Sequence, residues 1–261
     1  DAPPEPLGFD FPLSIGPLLG QRTAELHRAL ATETEMPAFA TEPLTREHLR
    51  DWARDAVAEA EVMLDRLDQA QARLPEEAKP LARSLLDRRD ALMARLHAVA
   101  ELSPSGMLSR IHGDYHLGQV LLSQNDVAII DFEGEPARSL EERRAKSSPL
   151  RDVAGMLRSF DYAAQTVIRR HRTSVGSTAD TALDRIEEWH RAARDGFLDS
   201  YREHIAGAPN LPEDDDVTQA LLDLFLLQKA VYEVEYELGN RPAWVGIPLA
   251  GILDLLEREA S

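Results

Sequence analysis

Two short stretches concentrate the side chains that could do chemistry. One is Arg110-Ile111-His112-Gly113-Asp114-Tyr115-His116-Leu117-Gly118-Gln119-Val120, the other Ile129-Ile130-Asp131-Phe132-Glu133-Gly134-Glu135-Pro136. In the first, an apolar segment leads His112 and Asp114 into a glycine-bearing loop. In the second, another apolar segment ends on an acidic cluster. Loops at strand ends are where a rigid scaffold holds reactive groups in place. Two carboxylates delivered from neighbouring strand ends suit a divalent cation plus a base, the combination that phosphoryl transfer requires. One carboxylate would orient an attacking hydroxyl and accept its proton, while other oxygen donors hold Mg²⁺ against the phosphates. Asp114 beside Gly113 could equally be a turn aspartate, but its company of His112, Gln119 and Asp131 favours a catalytic reading. A metal hydrolase is the competing class, because His112, Asp114 and His116 would share one face if the strand continued. Gly113 and Gly118 argue for a loop instead, and the other histidines fall in helical or helix-end segments without a second cluster.

These stretches need strands and helices to hold them. Ser109 to His112, Gln119 to Leu122 and Val127 to Ile130 read as short strands, with Gln124-Asn125-Asp126 as a hairpin turn between the last two. The rest of the chain reads as helical. Leu18 to Ala31 carries Leu19, Leu26 and Leu30 between charges, and Thr45 precedes a long periodic run that Pro75 ends. Thr45 is an acceptable N-cap but Arg46, Glu47 and His48 do not make an evident capping box. Pro80 opens a helix running to about Leu102, and further helices are expected over about 149–171, 180–206, 214–238 and 247–259. Breaks are expected at Thr173 to Ser177 and Ala206 to Pro212, and the acidic run Glu213 to Asp216 suits a helix start. The fold class is therefore mainly α, an α+β arrangement in which a small β element carries the reactive loop. Residues 1–17, with five prolines, are expected to be a linker and 18–261 one domain.

Charge and composition narrow the partners. The net charge of −17 argues against a nucleic-acid ligand, since phosphate backbones select basic surfaces. Without cysteine, disulfides and thiolate zinc sites are excluded. No stretch reaches the roughly 20 apolar residues that span a bilayer, so no membrane partner is expected and a cytoplasmic location is the default.

The order and spacing of these motifs resemble a known family. His112-Gly113-Asp114, Gln119 and Asp131-Phe132-Glu133 look like a variant of the kinase H-R-D-x-x-x-x-N and D-F-G pair. H-G-D is the form carried by aminoglycoside-phosphotransferase-like kinases. Gln in place of Asn and Glu in place of Gly, within H-G-D-Y-H-L-G-Q and I-D-F-E-G-E-P, resemble the maltokinases. So do the stretch from Arg143 to Phe160 and Gln228 to Tyr236 with Asn240-Arg241-Pro242 beyond it. The resemblance implies the helix-rich C-lobe of a protein-kinase-like fold. Asp114 would be its base, Gln119 and Asp131 its Mg²⁺ ligands, His112 a structural brace, and His116 and Glu133 sugar contacts. It implies ATP-dependent phosphorylation of maltose to maltose 1-phosphate, with fusion to or association with a trehalose synthase as a further possibility. A glycine-rich phosphate loop and a strand-borne lysine are absent here, and the resemblance implies that they lie upstream in an N-lobe needed to bind ATP. Alternatives are a related kinase for another small-molecule hydroxyl and a non-catalytic kinase-like binding module.

Three more groups invite a reading. Lys229, Tyr232 and Tyr236 stand at i, i+3 and i+7 and share a narrow helix face. Such a stripe is often core, yet tyrosine and lysine carry polar tips, and rings that stack on sugars beside hydroxyl-binding groups suit a saccharide site. Arg143, Arg144 and Lys146 are either a solvated basic edge or contacts to substrate or to the acidic loop. Arg151 and Asp152 open a helix, where Asp suits the dipole and an active-site role is equally open. Trp244 reads as core.

Overall fold

The computed structural model describes residues 15–136, 138–175 and 180–258, with side chains left aside at 171–175 and 180–182. Among the described residues the helices are α1 (Ile15–Leu30), α2 (Arg46–Ala70), α3 (Lys79–Asp87), α4 (Arg89–Ala98), α5 (Leu140–Arg144), α6 (Leu150–Val175), α7 (Asp180–Ile205), α8 (Asp215–Asn240) and α9 (Gly246–Glu257). Four short strands form two antiparallel pairs: β1 (Glu42–Pro43) with β2 (Met107–Leu108), and β3 (Val120–Ser123) with β4 (Asp126–Ile129). The expected helix-rich α+β class with a small β element is what the chain adopts.

Several boundaries differ from the sequence reading, each for a local reason. Helix α1 begins at Ile15, so the last residues of the expected linker are helical, while residues 1–14 lie outside the described residues. The expected helix from Pro80 to Leu102 is broken at Arg88, whose backbone (φ −101°, ψ 18°) leaves the helical region. The expected strand Ser109 to His112 is not one. Ser109 makes an isolated bridge to Ser147, and the next amides, of His112 and Gly113, are taken by a side-chain carboxylate. The expected break at Thr173 to Ser177 lies partly outside the described residues, and α6 continues to Val175. Thr45 does form a capping box, with His48 supplying the reciprocal side-chain bond usually made by Glu or Gln.

The core is built on α8. Its residues Leu221, Leu222, Leu224, Phe225, Leu226 and Leu227 are all buried, which is the pattern of a helix enclosed on every side. It packs against α2, α6 and α9. A buried ion network adds direction to this packing. Arg158 of α6, 3% exposed, donates Nε and Nη2 to Glu233 of α8 at 2.9 and 2.5 Å and Nη1 to Asp161 at 2.7 Å. Arg194 and His190 of α7 reach the same Asp161 at 2.5 and 2.7 Å.

Helices α1 and α7 approach unusually closely. A Cβ at Gly16 would lie 2.4 Å from the Ala193 carbonyl oxygen, and one at Gly20 would lie 2.3 Å from that of Phe197. Only glycine allows this backbone contact, because no real Cβ comes within 3 Å of a carbonyl oxygen. Gly20→Ala should therefore cost about 1–3 kcal/mol through overpacking and lower the melting temperature by several degrees. Gly239→Ala, a helical position with nothing within 4 Å, should be neutral or slightly stabilising. Thermal melts of the two variants check the contrast, and equal effects would show that the α1–α7 approach is looser than described.

Candidate active site

The β3–β4 hairpin sets the two sequence motifs side by side. Its register pairs Val120 with Ile129 and Ser123 with Asp126. Gln124 and Asn125 turn the chain with φ of 48° and 66°, the pair of positive values a tight hairpin turn demands. The Ile130 amide continues the ladder to the Gln119 carbonyl at 3.0 Å. Gln119 and Asp131 then face each other, with the Gln119 amide nitrogen 3.3 Å from Asp131 Oδ2. Asp131 has φ +65°, a left-handed conformation that is rare outside glycine and turns its carboxylate away from the strand path.

The loop from His112 to Leu117 is held from behind by one face of α6. Asp152, 2% exposed, accepts the His112 and Gly113 amides at 2.7 and 2.9 Å. One turn on, Gly155 lets the helix lie against the Tyr115 carbonyl, where a Cβ would come within 2.6 Å. Another turn on, Ser159 Oγ accepts the Leu117 amide at 2.9 Å. Helix α1 locks the same unit from the other side. His27 Nε2 meets Asp152 Oδ2 at 3.2 Å and its Nδ1 meets the Tyr201 hydroxyl of α7 at 3.0 Å. A neutral imidazole protonated at Nε2 satisfies both bonds, since a carboxylate only accepts. The Tyr115 hydroxyl pairs with Thr23 Oγ1 at 2.8 Å, and burial pushes its pKa well above the usual phenol range.

Within this frame His112 is 1% exposed, donates Nε2–H to the Ile130 carbonyl at 2.8 Å and packs on Phe132 and Tyr115. Asp114 presents a partly exposed carboxylate, with His116 Nε2 3.9 Å away. His116 caps the following 3₁₀ turn (Leu117–Gln119) by accepting the Gly118 amide at 3.0 Å. The histidines do not converge with Asp114 on one strand face, because Gly113 (φ +84°) turns the chain between them. Among the described residues, no group of three or more His, Cys, Asp or Glu side chains is placed to hold a metal by itself. Gln119 and Asp131 nevertheless offer adjacent hard oxygen donors. That fits Mg²⁺, which is commonly held by one or two protein groups plus substrate phosphates.

A pocket opens beside Asp114, between the loop, α2, α6 and α8. Asp114, His116, Lys229 and Tyr232 line it, as do Arg151, for which the sequence left an active-site role open, and Glu59, Glu135, Arg138 and Gln228, which the sequence did not single out as site residues. Glu133 stays exposed and outside this lining; its neighbour Glu135 is the loop carboxylate that turns inward, held by Arg138 at 3.0 Å and Lys229 at 3.7 Å. Gly134, with φ +75°, makes that turn, backed by the Arg143 side chain, and Arg143 also donates to the Glu133 carbonyl at 3.3 Å. Lys146 instead pairs with Glu42. Tyr232 and Tyr236 stack with ring centroids 6.4 Å apart, and each is 44% exposed, so neither is core. Desolvation raises the Tyr232 pKa, with Glu135 adding to the effect. Lys229 Nζ lies over the Tyr232 ring and Arg241 over that of Tyr236. Trp244 is not core either: it is partly exposed between Arg169 and Arg241. It lines a larger cavity of about 850 Å³ that shares no residue with the pocket beside Asp114.

The helix-rich architecture thus sets the His-Gly-Asp loop against the Asp131 hairpin. The chain belongs to the phosphotransferase enzyme family (APH), whose sequence profile matches residues 5–189. It is 31% identical over 250 residues to a glucosamine kinase from Streptacidiphilus jiangxiensis, covering 96% of this chain and 51% of that protein. It is 27% identical over 243 residues to a glucosamine kinase from Mycolicibacterium smegmatis, covering 93% and 54%. Among solved structures, a glucosamine kinase in complex with glucosamine, ADP and inorganic phosphate superposes with a TM-score of 0.70 at 28% identity, covering 93% of this chain and 51% of that one. The chain thus spans about half the length of the curated relatives it matches. No helix among the described residues is long and apolar enough to cross a membrane.

Because Asp152 is the shared acceptor of this frame, its removal strands buried donors from the loop and from His27. Asp152→Ala should cost about 3–5 kcal/mol and lower the melting temperature on the order of 10 °C. Circular dichroism melts check this, and a shift of only one or two degrees would mean that the loop is held by other contacts.

Proposed function

We propose that this chain carries the acceptor-binding and phosphoryl-transfer machinery of an ATP-dependent sugar kinase. The observation that carries the reading is that Asp114 borders a polar pocket, while the same loop-and-hairpin unit sets Gln119 against Asp131. In this reading the sugar hydroxyl sits against Asp114, gives its proton to that carboxylate and attacks the γ-phosphorus as the bond to ADP breaks. Gln119 and Asp131 are the residues that would hold Mg²⁺, whose chemistry is to neutralise charge on the phosphates. His112 fixes the loop to the hairpin through Ile130, and His116 stiffens the turn between Asp114 and Gln119. Leu121, Leu122, Ile130 and Phe132 leave an apolar surface on the hairpin next to Asp131, which suits coverage by a nucleotide-binding lobe.

The relatives support a sugar acceptor and name glucosamine, which makes a monosaccharide of that kind the first candidate. Maltose, the sugar implied by the motif resemblance, is named by none of these relatives, nor is a trehalose synthase. One observation keeps a disaccharide as the second reading. The stacked Tyr232–Tyr236 pair continues past the pocket, since Tyr232 lines it and Tyr236 stands one turn beyond, offering a platform for a second ring.

Full-length protein incubated with ATP, Mg²⁺ and glucosamine, glucose or maltose, with products identified by NMR, tests the reading. Asp114→Asn should lower kcat by roughly 10²–10⁴ with an unchanged melting curve. Retention of a tenth of the wild-type kcat would remove Asp114 as the base. Tyr236→Ala should raise KM for maltose by roughly tenfold while leaving KM for a monosaccharide and for ATP unaltered, from loss of a ring contact worth about 1 kcal/mol and a hydrogen bond of similar size. Equal KM values for both sugars would rule out a second-ring platform.

A further inference from the structure

Among the described residues of the pocket wall, Arg151 is a cation without an ion-pair partner. It stands in the first turn of α6, and its guanidinium lies over the Phe225 ring, 4.6 Å from the centroid. Its side-chain hydrogen bond is a long one from Nε to Ser147 Oγ at 3.4 Å. No carboxylate of the described residues forms an ion pair with it, although Glu59, Glu135, Asp114 and Asp152 line the same pocket. Glu135 is engaged by Arg138 and Lys229, Asp152 by the loop amides and His27, and Glu59 by the Gln228 amide at 3.1 Å. Desolvation lowers the Arg151 pKa to about 10, which still leaves it cationic at neutral pH. Arg151 is only partly exposed, Phe225 covers one face of its guanidinium, and its Nη edge makes no hydrogen bond within the described residues, so a ligand can take that edge in place of water.

We propose that Arg151 is the anchoring donor of the acceptor subsite, and that it receives two adjacent oxygens of a polyhydroxylated ring. The guanidinium fork offers two parallel N–H groups, which match neighbouring hydroxyls as they match a carboxylate. The surrounding carboxylates decide between those two partners. Asp114 and Glu59, which form no ion pair with a lysine or arginine among the described residues, disfavour an anionic sugar, so the oxygens that Arg151 meets are hydroxyls or ring oxygens. Arg151 equally repels an ammonium group, so an amino sugar must turn its nitrogen away from this corner. Stacking on Phe225 fixes the fork in the wall instead of letting it follow solvent. Arg151 is thus a specificity-determining contact within the kinase site proposed above, and the inference rests on that reading for the location of the acceptor.

Ligand-observed NMR tests this without requiring turnover, with glucose, maltose, glucosamine and the mono-deoxyglucoses as probes. Wild-type protein should bind at least one parent sugar and lose affinity for one or two of the deoxy sugars. Arg151→Met keeps the stem and the contact with Phe225 but has no N–H. It should bind the parent sugar roughly tenfold more weakly and no longer distinguish those deoxy sugars, with an unchanged melting temperature. If Arg151→Met does not fold, Arg151→Lys, which keeps charge but lacks the fork, should show the same loss of discrimination. A variant that binds every probe as wild type does, or one that weakens all of them equally, overturns the assignment. So does a wild-type protein that binds none of the sugars. Binding with loss of discrimination in the variant, but no ATP-dependent phosphorylation by the full-length protein, would uphold the subsite and remove the kinase reading.

Discussion

The structure hangs on the buried carboxylate of Asp152. It accepts two consecutive backbone amides from the loop that presents Asp114, and a ring N–H from His27, so three segments far apart in sequence meet on two oxygen atoms. A carboxylate in such a place is stable only because every one of its contacts is a donor. His27 passes the constraint to Tyr201, which ties α7 to α1, and the Gly16 and Gly20 contacts bring those two helices close enough for that bond. Remove the carboxylate and the loop has no reason to keep the strand-like start and sharp turn it shows at Gly113.

A second consequence concerns strain. Asp131 and the hairpin turn residues Gln124 and Asn125 all hold positive φ. The turn values follow from hairpin geometry and cost little for Asn, but Asp131 follows a strand that would ordinarily continue. The ladder bond from Ile130 to Gln119 and the His112 bond to the Ile130 carbonyl fix the residue just before it. The residue is therefore positioned by its neighbours' hydrogen bonds, with the Gln119 amide bond to its carboxylate added to them.

Charge is distributed with the same economy. The chain is strongly acidic, yet the pocket beside Asp114 gathers Arg138, Arg151 and Lys229. Glu135 pairs with both Arg138 and Lys229, while Arg151 and Asp114 stand as donor and acceptor in the same cavity without an ion pair to each other. An acidic exterior with a mixed interior of this kind disfavours nucleic acid while still allowing a neutral, hydroxyl-rich ligand.

The sequence by itself determined the helix-rich class and the hairpin, because helical periodicity and the Gln124-Asn125 turn are local signals. It also determined that His112, Asp114, Gln119 and Asp131 stand near one another, since all four lie within one short stretch joined by that hairpin. It did not reveal that Glu135, not Glu133, faces the pocket, because the choice is made by Gly134 turning against the Arg143 side chain of the next helix, which no periodic pattern marks. Nor did it separate the helix-start reading of Asp152 from its clamp role, since His27 lies 125 residues away. The gap at Arg88 and the glycine contacts of α1 escaped for the same reason: no periodic pattern marks where one helix must pass another. Arg151 is the clearest case. Its residue type was plain in the sequence, but only the tertiary structure lays its guanidinium over Phe225 in the pocket wall beside Asp114, without an ion pair.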